Sequence, residues 1–339
     1  MSANVDTMAY TGEQPWHRQG VDLGDRYVKY EEMLAAAQMD WTVSIRELAI
    51  KGTGIEVPNH FAVARDDDDA VLGVVSRRYA PVQNRAAFEF LDAVVGGGQA
   101  VYHTAGSLGR GEKTWILVKL PETIEVAGDQ IDNYLALVNS HDGKGAFQAL
   151  WTPIRVVCEN TLNVATHRGR LRSGYRLSHF ANIEARMSVE GAQEALGLAG
   201  RAMGEFKEMA DELSQRAVTH DQVTGFLQRL FPLDQKAALP APKTPTLLLP
   251  EPKREDVAPD FRFVFSRRDK TRELIQSGRG NKGETRWDAL NGVVEYADFE
   301  YGAAEHRTRS TLFGFGKDLK AKAVSLLDGT DETFRPKGL

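Results

Sequence analysis

Apolar positions along this chain fall into two regimes. From residue 40 to about 160 they come in short runs, "WTVSIRELAI", "HFAVAR", "AVLGVVS", "TWILVKL", "YLALVNS" and "AFQALWTPIRVVC", rich in β-branched and aromatic residues. Turn signals such as "KGTG", "RDDDD" and "GRGEK" separate the runs, and an antiparallel meander is the simplest reading. One stretch breaks the alternation. "NRAAFEFLDAVVGGG" has apolar residues at helical spacing, with Asn84 as the expected N-cap and glycines as the stop. Strands, a helix and then more strands form an α+β pattern.

Past "CENTLNVATHRGRLRSGYRLSH" the texture changes. "NIEARMSVEGAQEALGLAGRAMGEFKEMADELSQRAV" keeps a helical period for more than thirty residues, weakened locally by four glycines. "THDQVTGFLQRLF" adds a short amphipathic helix with Thr219 as its cap. Seven prolines between residues 232 and 260 exclude a helix there and mark an extended linker. "FRFVFSRRDKTRELIQSG", "TRWDALNGVVEYADFEYG" and "FGKDLKAKAVSLL" then read as three helices. The expected organisation is an N-terminal arm (1–40), an α+β core with long helices (41–231), a Pro-rich linker (232–260) and a helical C-terminal region (261–339).

A chain of 339 residues with 42% hydrophobic residues has enough apolar material for a sizeable core. The start "MSANVDTMAYTGEQPWHRQG" lacks a basic segment followed by an apolar run, and no window resembles a membrane span, so the expected location is the cytoplasm. Cys158 is the only cysteine, which excludes an intramolecular disulfide and a multi-cysteine zinc site.

The candidate chemistry concentrates in residues 139 to 163, "NSHDGKGAFQALWTPIRVVCENTLN". His141 and Asp142 are adjacent and lack the paired spacing of a metal site, so no metal and no cofactor is expected. "GSLGRGEKT" imitates a phosphate loop, but Glu112 separates the glycine from the lysine. Cys158 sits in an apolar context that favours a core thiol over a nucleophile. No catalytic residue is assigned, and a metal-dependent nuclease built on Asp142 and Glu159 ranks last.

Charge changes the picture. The total is −5, yet from Lys144 to Arg186 seven cations stand against Glu159 and Glu184. Lys144, Arg155, Arg168, Arg170, Arg172 and Arg176 are candidate phosphate contacts, and Tyr175 a candidate stacking ring for an unpaired base. Arg267, Arg268 and Lys270, in a second basic cluster, are secondary candidates. Basic loops are often plain solvated surface, and that bland reading stands beside the functional one.

The motifs "QPWHRQG", "YAPVQNRAAFEFLDAVV", "YHTAGSLGRGEKTWILVKLP", "YLALVNSHDGKGAF", "TPIRVVCENTLNVA" and "TRWDALNGVVEYADF", in this order, resemble the phage/plasmid-like family filed as domain-of-unknown-function family 932. That resemblance implies a mobile-element origin and a bacterial host. A further resemblance, to the core of single-strand annealing recombinases of the Rad, Erf, Sak, Red-beta and RecT groups, implies a curved antiparallel sheet with an inserted helix. It also implies ATP-independent pairing of single-stranded DNA by a homo-oligomeric ring or filament, with a single-strand-binding protein or an exonuclease as conceivable partners. The alternative is a non-enzymatic assembly or host-interaction protein of a phage or plasmid.

Overall fold

A computed structural model describes residues 5–12, 20–155, 160–161, 174–180, 182–233, 254–302, 310 and 314–328. Its centre is a large, mostly antiparallel sheet in the order β10-β9-β8-β7-β6-β1-β2. The strands are β1 (Val5–Tyr10), β2 (Val21–Asp22), β6 (Val101–Leu108), β7 (Lys113–Val126), β8 (Asp129–Ser140), β9 (Phe147–Arg155) and β10 (Asn160–Thr161). β11 (Gly174–Leu177) pairs with β9 as well. The hairpin β7–β8 closes through Ala127 and Gly128, both at positive φ (52° and 89°), the signature of a turn whose twist matches the flanking strands.

The expected single meander is two sheets. β3 (Val43–Ala49), β4 (Glu56–Arg65) and β5 (Val71–Ser76) form a separate three-stranded sheet around Trp41, Val43, Val63, Leu72 and Val75. Among the described residues it has no ladder to the large sheet; close packing joins the two. A Cβ on Gly73 would lie 2.7 Å from the Asp142 backbone, so only glycine lets β5 approach that loop.

Within the N-terminal segment, the described residues contribute to the sheet and to the core. β1 lies in the sheet beside β6, and α1 (Tyr30–Ala36) buries Met33 and Leu34 in the main core. Helix α2 (Asn84–Val95) forms where its period requires, burying Phe88, Leu91, Val94 and Val95. Its N-cap is Gln83, whose side chain bonds the Val43 backbone and makes no capping bond, and Asn84 points inward: its amide donates to the Met39 carbonyl at 3.1 Å. The long helical run divides into a single turn, α3 (Ile183–Arg186), and α4 (Val189–Gln215), which starts at Ser188, whose hydroxyl accepts from Gly191 N–H. α5 (His220–Leu230) has the expected Thr219 cap, completed by Gln222 into a capping box.

The three C-terminal helices form as predicted: α6 (Phe263–Ser277), α7 (Arg286–Glu295), continued by a π-helical turn to Glu300, and α8 (Phe315–Leu327). Their buried residues belong to the same hydrophobic cluster as those of the large sheet. Trp151 on β9, Phe206 on α4 and Trp287 on α7 stack edge to face at 5.3 and 6.1 Å within one continuous core. No helix of the described residues is long and apolar enough to cross a membrane.

Candidate nucleic-acid interface

The polar run at 139–145 divides into a buried half and an exposed half. His141 is fully buried, and its Nε2–H donates to Asn84 Oδ1 at 3.2 Å, leaving Nδ1 as a buried lone pair without a partner. Burial pushes the imidazole down to about 3, helped by neighbouring His179. Asn139 donates to the Val82 carbonyl at 2.9 Å, and Trp41 meets the His141 ring edge on at 5.4 Å. This network fastens β8 to α2 and to the small sheet, so its polarity is structural. Among the described residues no group of three or more His, Cys, Asp or Glu is placed to hold a metal ion.

The exposed half begins at Asp142, whose carboxylate accepts from Ser140 Oγ at 2.5 Å and from Lys144 N–H at 2.9 Å. Gly143 adopts a positive φ (72°), and a Cβ there would meet Val75 at 2.7 Å; one on Gly145 would meet Ser140 at 2.7 Å. The two glycines thus press the loop against its neighbours and leave Lys144 exposed between them.

Lys144 lines a cleft of about 380 Å³. Val74 and Ser76 of β5, Tyr79, the 143–146 loop, Arg176 and His179–Phe180 complete its walls. β11 buries Tyr175 and Leu177 and alternates Arg176 to the outside. Neither Lys144 nor Arg176 has a side-chain partner among the described residues. Arg77 and Arg78, exposed and equally without a partner among the described residues, form the turn between Ser76 and Tyr79. Two cations therefore line the cleft, and Arg77 and Arg78 stand in the turn between its Ser76 and Tyr79 walls. His179 is only 5% exposed, stacks on Tyr79 at 4.9 Å, and keeps its Nε2 without a partner. Burial lowers its pKa and disfavours the charged form.

Other candidates lie elsewhere. Tyr175 is 8% exposed, with its ring stacked on Phe90 at 5.5 Å and its hydroxyl donating to the Arg186 carbonyl at 2.7 Å. It is a core residue, and a base cannot reach its face. Arg268 is 5% exposed and donates to the Phe231 carbonyl at 2.6 Å, tying α6 to the end of α5. Arg267 lies over the rings of Phe263, Tyr301 and Phe315 in a different, mainly apolar cleft, and Lys270 pairs with Glu273. The secondary cluster thus does not join the first. The backbone of Arg155 pairs with Ile131 and Asn160, while its side chain lies outside the described residues, as do Arg168, Arg170, Arg172, Cys158 and Glu159. Arg77 and Arg78 carry no signal in the sequence because a lone pair of arginines in a turn is no cluster until folding brings the flanking Ser76 and Tyr79 into one cleft with Lys144 and Arg176.

The segment "TRWDALNG" is also consumed by the fold. Thr285 and Asp288 form a capping box, Arg286 donates to the Leu327 carbonyl, and Trp287 Nε1 donates to Asp129 at the β7–β8 turn. A Cβ on Gly292 would lie 2.5 Å from Ile275, so α6 and α7 cross there at closest approach.

The family described as Domain of unknown function (DUF932) matches residues 71–312, more than half of the chain. The UPF0380 protein YfjQ of Escherichia coli (strain K12) is 27% identical over 188 residues, covering 54% of this chain and 64% of that protein. The UPF0380 protein YafZ of the same organism is 32% identical over 93 residues, 27% of this chain and 32% of that protein. The chain thus matches under two thirds of either relative's length. No solved structure matches it. The matched span runs from β5 through the cleft, the long helix α4 and the α6–α7 crossing, and by it the chain belongs to the DUF932 family.

Proposed function

We propose that this protein binds single-stranded DNA through the cleft lined by Lys144 and Arg176, helped by Arg77 and Arg78 in the adjoining turn, and that as a homo-oligomer it anneals complementary strands without nucleotide hydrolysis. The observation that carries the reading is a cleft lined by two exposed cations, with two more in the turn between its Ser76 and Tyr79 walls, none with a side-chain partner among the described residues, on a chain of net charge −5. Elsewhere the cations tend to be spent: Arg46 and Arg65 pair with the aspartates of the β4–β5 turn. Free guanidinium and ammonium groups spaced along an open cleft suit successive phosphates.

The arginine-rich segment belongs to the same proposal. Thr161 pairs with Ile154 and Gly174 with Leu150, so the two described ends that flank Arg168, Arg170 and Arg172 in sequence both lie on β9, the strand that also pairs Arg176. Annealing draws its free energy from base pairing, so it needs no phosphate loop. Its kinship to the annealing recombinases remains part of this proposal, as do a mobile-element origin and the cytoplasm of a bacterial host.

Anisotropy titrations of a labelled oligothymidine across a salt series test it. Binding to single strands weakens with log salt at a slope of about −0.7 per phosphate neutralised, so replacing all four cations by alanine flattens the slope by up to about 3. Unlabelled complementary strands then anneal faster with protein and no ATP. Absence of binding by the wild type at low salt would refute the reading.

A second reading rests on the small sheet and its turns, where Ile45, Ile50, Ile55 and Val71 are exposed. An assembly or host-interaction protein would use that face, and would form complexes without affinity for single strands.

A further inference from the structure

We infer that Phe180 is a stacking platform for an unpaired base, which makes the cleft selective for single strands carrying bases over the phosphate backbone alone. This deepens the proposed function and rests on it. Phe180 is 57% exposed, although large aromatic side chains bury more area than most others. A single exposed phenylalanine is ordinary; its setting is what matters here.

Three features set it. The backbone is fixed, because Phe180 pairs with Tyr79 in an isolated bridge, its N–H donates to the Ser178 carbonyl at 2.8 Å, and its carbonyl accepts from Ile183 N–H at 3.0 Å. The ring has no contact with another ring among the described residues, whereas the preceding His179 is turned inward onto Tyr79. Finally, Phe180 shares the cleft with the exposed apolar side chain of Val74 and with Lys144 and Arg176, cations without a side-chain partner among the described residues. An apolar wall with cations on its borders matches a nucleotide, whose base has a π-face and whose phosphates are anionic. The cleft's volume, about 380 Å³, falls in the range of small-ligand sites.

The test compares oligothymidine with an abasic deoxyribose-phosphate polymer of equal length, using the full chain. Wild type should bind oligothymidine about 5- to 150-fold more tightly, the yield of one base–aromatic stack. Phe180→Ala should lose that preference while keeping its affinity for the abasic polymer and its salt slope. Phe180→Trp should keep the preference and show tryptophan quenching, beyond that of wild type, with oligothymidine only. Equal wild-type affinity for the two polymers, or a preference that survives Phe180→Ala, would overturn the stacking role and leave phosphate gripping intact. Binding of neither polymer would sink both.

Discussion

Replacing His141 by leucine probes the junction between the two sheets. The imidazole is held neutral in the folded chain, pushed down to about 3 from 6.5 by complete burial. The unfolded chain therefore binds one more proton between those two values. The stabilisation this group supplies is fully present above pH 6.5 and is lost as pH falls toward 3. In the middle of that window it falls by about 1.4 kcal/mol per pH unit. Leucine carries no such dependence, but it leaves Asn84 Oδ1 without the donor it now has, at a cost of about 1–3 kcal/mol. The variant should thus be less stable at pH 7.5, and its deficit should shrink on acidification until the two stability curves cross between about pH 4 and 6. His103, pushed down to about 4 by burial and Lys119, bends both curves equally and cancels in the comparison. Urea midpoints followed by tryptophan fluorescence at stepped pH supply the measurement. Parallel curves would mean that His141 is not a neutral, buried group, and the account of the 139–145 network would fall with it.

Two further substitutions test the C-terminal helices. Lys320 on α8 and Asp298 form an ion pair at 2.5 Å that is almost wholly buried, so Lys320→Met, which removes one partner of a buried pair, should cost about 3–5 kcal/mol. Adding Asp298→Asn should recover most of that, and a loss below about 1 kcal/mol in the single variant would refute the pairing. Gly292→Ala should destabilise by about 1–3 kcal/mol, because its Cβ meets Ile275 at 2.5 Å. Helix propensity alone predicts a gain of about 1 kcal/mol, so the sign of the urea-midpoint shift decides between the two.

Much of the local structure was legible because it is carried by local signals. The period of "NRAAFEFLDAVV", the Thr219 cap and the three C-terminal helices announce themselves within a few residues. β6 was missed because "VYHTAGSL" is small and polar; Gly106 is there to admit the Trp115 ring, which a Cβ would meet at 2.5 Å. The division into two sheets is invisible in strand patterns, since it depends on the contact of Gly73 with the 142 backbone. The candidate site was half legible. Lys144 and Arg176 emerge from charge counting, but nothing in "RLRSGYRLS" says that Tyr175 faces Phe90 and Arg176 faces water until β9 supplies the register. Arg268 misled for the same reason: a guanidinium inside a basic run reads as surface, while its carbonyl partner on residue 231 is more than thirty positions away.

The stack of Trp151, Phe206 and Trp287 threads strand, long helix and C-terminal helix into one interior. The stretch from 234 to 253 thus joins two halves that complete each other's apolar surface. Removing everything after it would strip the cover from α4 and β9, whereas severing the backbone there would leave the pieces clasped without a covalent tie. The molecule lends itself to splitting rather than shortening, and complementary fragments are the natural route to tagging its two ends independently.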